Sequence, residues 1–533
     1  MKQASLVGLA LLLALCGSSV AAPASEQFEI GRRIYREGVL PNGQPLLGTV
    51  HGDVVVTGAR AACVNCHRRS GYGSLEGDQV VPPINARMLF QPRPLQGLRA
   101  GRERPAYDDA TLVRALHDGV NPTGRSLQAP MPRYQLSASE TQALIQYLRS
   151  LAADLPPGVT NQELHLATII TAAVPQQQRA ALQGVLEKFI ADKNADIQLR
   201  QRGSFGHSQI FREWRLHVWE LHGEPASWGE QLERRYREQP VFAVLGGVGH
   251  GSWSAIHRSC ERLELPCLLP NTDEPNFVEG DFYSIYFTRG IEQEADVLAQ
   301  QLREQAQRAP LRVTQVYRAG DTGEIAATRM RRALAANARV QLNETPLAVG
   351  AEPDASFWTT TFSAHADAYV LWLSDRDLTS LASRTGADAA VLYVSGSLLT
   401  NAATALAAAV RAKTHVVQLH ALPAVWQVQR AGLDNWLEAH GLTKIEERVQ
   451  ANTAVLASLF TVALAHIRDE DLSREYLIER LEHVESEAMV WPSLYPRFSL
   501  GAGQRVGSQG GYVAALRADG SLPRESPWIV PRQ

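Results

Sequence analysis

The sequence predicts a two-domain chain: a small, mainly helical N-terminal domain followed by a larger α/β domain of two lobes. Three observations carry this. A C-x-x-C-H run stands at Cys63 to His67, between an apolar-striped segment near residue 30 and another near residue 145. Composition then shifts near residue 155, where Leu155-Pro156-Pro157-Gly158 stops the preceding helix. Beyond Glu163 short apolar runs alternate with amphipathic segments, the pattern of parallel sheets joined by helical crossovers. The 533 residues are 45% hydrophobic and 20% charged, which excludes disorder and coiled coil, and a net charge of −3 gives no basic field for nucleic acid. The charge is unevenly spread: residues 25–154 hold fifteen Arg, no Lys and twelve acids, whereas the rest of the chain is acidic.

Residues 1–24 read as an export signal: Lys2, the apolar run Leu6 to Leu15, then small residues with cleavage after Ala21 or Ala24. A run of about ten apolar residues is half the roughly 20 that a spanning helix needs. Leu15 is bulky where lipoprotein signals carry a small residue, which argues against a lipid anchor at Cys16. Thr453 to Ile467 has the length of a core helix, so the mature protein is expected in the periplasm without a transmembrane segment. The remaining boundaries are 25–154 for the first domain, 155–162 for the linker and 163–533 for the second domain.

Cys63-Val64-Asn65-Cys66-His67 is the attachment pattern of c-type haem. Two thiols three positions apart on one helical turn can each form a thioether to a vinyl group, and the next imidazole then reaches one axial face of the iron. A redox dithiol is the alternative. Zinc would need a second ligand pair, and Cys260 and Cys267 are seven apart with no C-x-x-C beside them. A soft sixth ligand would raise the potential and close the iron to substrates. Met88 and Met131 are the methionines of this domain, and prolines flank Met131 in Ala129-Pro130-Met131-Pro132. Ser137-Ala138-Ser139-Glu140 then forms a capping box before a helix with Leu144, Tyr147, Leu148 and Leu151 on one face, suited to pack on the early helix, Phe28 to Arg36.

Over residues 26–153 the chain resembles a class I monohaem cytochrome c, through Gly31-Arg32-Arg33-Ile34-Tyr35, the C-V-N-C-H run, Met131-Pro132, and Gln146 to Leu151. The resemblance implies an all-α cytochrome c domain with one covalent haem c on Cys63 and Cys66. It makes His67 the proximal ligand and Met131 the distal one, with Met88 filling the pocket. Val81-Pro82-Pro83-Ile84 resembles the family's proline loop, in which a carbonyl from Pro82 or Pro83 orients the histidine ring. One departure stands out: Glu37 to Ala62 are inserted before the haem motif. Their Gly- and Val-rich sequence is expected to form a hairpin over the haem edge or against the second domain.

In the second domain strands are expected at His165 to Ala172, Ala195 to Arg200, Val241 to Leu245, Pro266 to Leu269, Val313 to Tyr317, Ala368 to Leu373 and Ala390 to Tyr393, with a helix over Gln178 to Lys193. With Ala243 to Gly247, Leu265 to Pro270, Arg318 to Gly323 and Tyr495 to Leu500, this pattern resembles the type I periplasmic binding proteins of the branched-chain amino-acid branch. The resemblance implies a two-lobed domain with a ligand cleft at the strand C-termini. Candidate ligand-binding residues at those positions are Ser252, Asn271, Thr272, Asp273, Thr322 and Ser395. Where amino-acid binders place an acid for the ligand amine, this chain has Val394-Ser395-Gly396-Ser397, which argues against a free amino acid. Cys260 and Cys267 read as a local disulfide, with two buried thiols as the alternative. Trp253, Trp372, Trp426 and Trp491 are expected in the core, and His250, His257, His365 and His420 show no metal-ligand spacing.

Together these features point to a periplasmic electron-transfer protein rather than an enzyme, working with electron donor or acceptor proteins. Its fused domain would bind a small molecule or dock a redox partner. A solute-binding or sensory protein, whose haem reports redox state or gas, is the alternative.

Overall fold

The computed structural model describes residues 23–76, 79–94, 103–128, 130–202, 212–383, 390–399, 402–484 and 491–532. The apolar N-terminal run, Cys16 and Ala129 lie outside them. The chain divides into two compact units, 1–154 and 155–533.

In the first unit helix α1 (Pro23–Glu37) packs on α5 (Ala138–Ser150). The crossing is close because residue 31 is glycine: a Cβ there would lie 2.1 Å from the Ala143 carbonyl oxygen. Tyr35 and Tyr147 fill the crossing with ring centroids 5.2 Å apart. The capping box forms as the sequence predicts, Ser137 accepting from the Glu140 amide while Glu140 accepts from the Ser137 amide. The inserted segment forms a hairpin, β1 (Leu47–Val50) and β2 (Val54–Thr57), turning through His51 and Gly52 at positive φ. The strand that follows Met131, β7 (Arg133–Tyr134), joins β1, so the helical unit carries a three-stranded sheet of order β2-β1-β7. Between them lie α2 (Val64–His67), the pair β3 (Ser74–Glu76) and β4 (Gln79–Val81), α3 (Ala86–Phe90), the pair β5 (Arg93–Pro94) and β6 (Glu103–Arg104), and α4 (Asp109–His117).

The second unit holds two sheets. The first has order β12-β11-β10-β8-β9, all parallel: β8 (Glu163–Thr171), β9 (Glu213–Leu221), β10 (Ala243–Leu245), β11 (Cys267–Leu268) and β12 (Ser284–Ile285). Its helices are α6 (Gln176–Arg202), α7 (Trp228–Glu238) and α8 (Ser254–Arg262). After α9 (Gly290–Ala306) the second sheet has order β14-β13-β15-β16-β17-β18-β19. It is built from β13 (Leu311–Arg318), β14 (Val340–Leu347), β15 (Ala368–Trp372), β16 (Val391–Ser395), β17 (Thr414–Gln418), β18 (Gly511–Ala515) and β19 (Trp528–Ile529). Its first five strands are parallel, β18 runs opposite to them, and β19 pairs antiparallel with β18. Helices α10 (Thr322–Leu334), α11 (Ala355–Phe362), α12 (Asp375–Leu378), α13 (Ala402–Ala405) and α14 (Ala408–Arg411) connect these strands. Helices α15 (Pro423–Gln429), α16 (Ala431–Ala439), α17 (Glu447–Ala465) and α18 (Arg474–Leu481) return to the first sheet, where α17 packs on α6.

One strand expectation is wrong. Ala195 to Arg200 is the last part of α6, because a single Ile197/Leu199 alternation in a run without Gly or Pro does not stop a propagating helix. Beside β8 on the side away from β10 lies β9, whose nine residues pair with it over their full length. Among the described residues α17 alone is long and apolar enough to cross a membrane, and 78% of its apolar window is buried inside the unit. Arg474 ties this unit together through neutral acceptors. Its guanidinium donates to the carbonyls of Pro157, Val241, Phe242, Leu263 and Glu264 and to the Tyr236 hydroxyl.

Candidate functional site: a cysteine-histidine turn and an interlobe cleft

Helix α2 is one turn long, with Cys63 at its N-cap, so both thiols and His67 sit on consecutive faces of a single turn. Cys63 is buried and Cys66 half-buried. Burial pushes the Cys63 thiol up to about 11, and its sulfur lies 3.9 Å from the Tyr134 hydroxyl. His67 is 6% exposed. Its Nδ1 is 3.0 Å from the Pro82 carbonyl oxygen, which leaves Nε2 as the ligating nitrogen. Burial holds the imidazole down at about 4, with the Pro82 carbonyl pulling the other way, so the ring is neutral at physiological pH. Of the two prolines, it is Pro82 whose carbonyl meets the ring.

The chain around this turn is tightly tied. Arg68 reverses direction at φ +63, and its carbonyl accepts from the Tyr35 hydroxyl at 2.7 Å. Ser74 Oγ donates to the Cys66 carbonyl at 2.8 Å and the Gly73 amide to the His67 carbonyl at 3.0 Å. Met131 is half-buried against the apolar cluster of Ile34, Leu46, Cys63 and Leu136. Met88 is packed inside, its amide capped by Asn85. Two thiols on one turn, an imidazole oriented through Nδ1 and a nearby thioether make a donor set that fits a covalently held haem.

In the second unit a cavity of about 640 Å³ opens between the two sheets. Ser252 and Thr322 line it, with Gly251, Glu274, Asp321 and Arg329. Thr322 donates to the Glu274 carboxylate across the cleft, and burial raises the Glu274 pKa. Asp273 forms a two-pronged ion pair with Arg448, at 2.7 and 3.1 Å, and this carboxylate raises the Arg448 pKa. Asn271 is buried, accepting from Asn452 at 2.9 Å. Thr272 is half-buried and accepts from the Glu274 amide. Ser395 is fully buried and donates to Glu294. Glu274, Glu292, Asp321 and Glu324 line the cleft, and a further acid is fully buried against the Val394 to Ser397 segment. Glu294 reaches Ser395 and Ser397 from α9, and burial pushes its carboxyl up to about 7 against the two serine hydrogen bonds. The sequence signal was its place among Ile291, Ala295 and Leu298, on the buried side of α9.

Cys260 and Cys267 are joined, with Cα atoms 6.2 Å apart. Next to them His257, Glu261 and Asp281 converge within metal-ligand range, a grouping that spacing in the sequence does not reveal. Each is already engaged by protein: His257 by Asp281 and Tyr286, Glu261 by the amides of Phe282, Tyr283 and Ser284. Trp253, Trp372, Trp426 and Trp491 are all buried in packed clusters.

Residues 56–152 match the Cytochrome c family model. That match implies a covalently bound haem. No curated protein sequence matches the chain. Among solved structures, a branched-chain amino-acid ABC transporter protein from Thermus thermophilus with bound valine aligns at 12% identity over 70% of this chain and 97% of its own, with a TM-score of 0.51. A leucine binding protein from Thermotoga maritima aligns at 12% identity over 69% of this chain and 99% of its own, with a TM-score of 0.47. A branched-chain amino-acid transporter substrate binding protein from Streptococcus pneumoniae, in complex with isoleucine, aligns at 11% identity over 69% and 100%, with a TM-score of 0.47. The first of these likenesses gives the second unit the two-lobed α/β fold of type I periplasmic binding proteins.

Proposed function

We propose that the chain is an exported electron-transfer protein of the periplasm, with one haem c on Cys63 and Cys66 and His67 and Met131 as iron ligands. The observation that carries this is the His67 ring, buried, neutral and held through Nδ1 by Pro82 beside two thiols on the same turn. Bound haem supplies one-electron chemistry between ferric and ferrous iron. The chain's own residues do the rest: the cysteines tether, Pro82 fixes the tautomer and aim of His67, and Met131 keeps external ligands out. The apolar cluster excludes water and so favours the less charged ferrous state. In the oxidising compartment Cys260 and Cys267 form a disulfide.

The second unit, on this reading, takes a small solute between its lobes through Ser252 and Thr322, or docks a redox partner. The cavity between the lobes, lined by Ser252 and Thr322 with Glu274, Asp321 and Arg329, favours solute binding. Spectroscopy of the holoprotein tests the haem reading. A sulfur-to-iron charge-transfer band in the ferric form should vanish in Met131→Ala and persist in Met88→Ala; a band that survives Met131→Ala would refute this ligation.

A further inference from the structure

We propose that the inserted hairpin β1–β2 is a clamp that holds Met131 at the iron. This rests on the reading of Met131 as the distal ligand. The strand β7 begins two residues after Met131, and β1 pairs with it as Gly48 opposite Tyr134 and Thr49 opposite Arg133. The pairing continues one residue on, where the Gln135 amide donates to the Leu47 carbonyl at 3.0 Å. Residue 48 is glycine for a reason local to the ligand: a Cβ there would lie 2.9 Å from the Pro132 Cβ and 3.3 Å from the Tyr134 ring.

Two side chains complete the clamp. Tyr134 is buried and donates to the Ala61 carbonyl at 3.0 Å, two residues before Cys63, which joins the methionine segment to the haem motif itself. Arg133 folds back, with Nη1 donating to the Met131 carbonyl at 2.6 Å and Nη2 to the Leu127 carbonyl at 3.3 Å. Its guanidinium lies over Gly119, where any Cβ would collide with it. The Leu127 amide in turn donates to the Gly119 carbonyl at 2.7 Å. The Met131 carbonyl is thus held by Arg133, and the segment directly after it by an added strand. A thioether is the weakest donor in this ligand set, so its hold on iron depends on how seldom its own segment opens. Arg133, Gly48 and Tyr134 are positioning residues for that ligand.

Cyanide binding to the ferric full-length holoprotein reads this directly, because at saturating cyanide the rate is that of Met131 release. Arg133→Ala and Gly48→Val should each raise the limiting rate about tenfold and weaken the sulfur-to-iron band, at unchanged haem content. Arg133→Lys, which keeps a donor for the Met131 carbonyl, should restore much of the wild-type rate. Val349→Ser, at an exposed position of the second unit, should leave it unchanged. Wild-type rates in both Arg133→Ala and Gly48→Val would overturn the clamp. If Gly48→Val does not take up haem, Arg133→Ala alone decides. A wild-type protein without the sulfur-to-iron band would overturn the ligand assignment and the clamp with it, whereas a normal band with unchanged variant rates overturns the clamp alone.

Discussion

The haem turn and the interlobe cleft are assembled in opposite ways. The heart of the first is local: two thiols and an imidazole within five residues. The second is stitched from distant segments, Asp273 to Arg448 at a separation of 175 residues, Asn271 to Asn452 at 181 and Ser395 to Glu294 at 101. A site whose chemistry is fixed by covalent spacing can be read along the chain. A site whose polar groups satisfy one another across the fold cannot.

That contrast predicts different kinds of failure. The largest effect is expected at the turn, where Cys63→Ala with Cys66→Ala should abolish covalent haem, read as loss of haem absorbance after denaturation and extraction. Next comes the scaffold of the cleft. Arg474→Ala leaves five carbonyls and a phenol without this donor and should cost the second unit about 3 kcal/mol. All ten tryptophans lie in that unit, so fluorescence-monitored denaturation isolates it.

The cleft should also be the pH-sensitive half. Glu294 has a folded pKa of about 7, above its ordinary value of 4.5, so stability that is full below the lower value is lost as pH rises toward the upper one. The loss should be roughly 3 kcal/mol, and Glu294→Gln should flatten it; an unchanged pH profile in that variant would remove Glu294 from the account. The smallest effect is expected from Cys260→Ser with Cys267→Ser. So short a loop contributes about 2 kcal/mol, seen as a modest shift of the fluorescence midpoint with the haem spectrum intact.

The sequence made the C-V-N-C-H turn and the capping box at Ser137 legible because each rests on contacts within a few residues, whereas the close crossing at Gly31 needed the structure. It also placed a hairpin between Glu37 and Ala62, but not its pairing with the segment after Met131, which is a tertiary contact. Choosing Pro82 over Pro83 needed the direction of one carbonyl. The strand expected at Ala195 to Arg200 failed because two alternating apolar residues say less than an uninterrupted helix before them. Glu294 was hidden by distance: on α9 it is one more buried-face residue until Ser395 and Ser397 are brought to it.

Carbon monoxide binding to the untouched ferrous full-length protein tests most directly the claim that this is a closed electron-transfer centre. Met131 in place predicts that carbon monoxide leaves the ferrous spectrum unchanged at neutral pH and binds readily only in Met131→Ala. Ready binding by the wild-type protein would contradict the account and make the iron a site for gas or substrate.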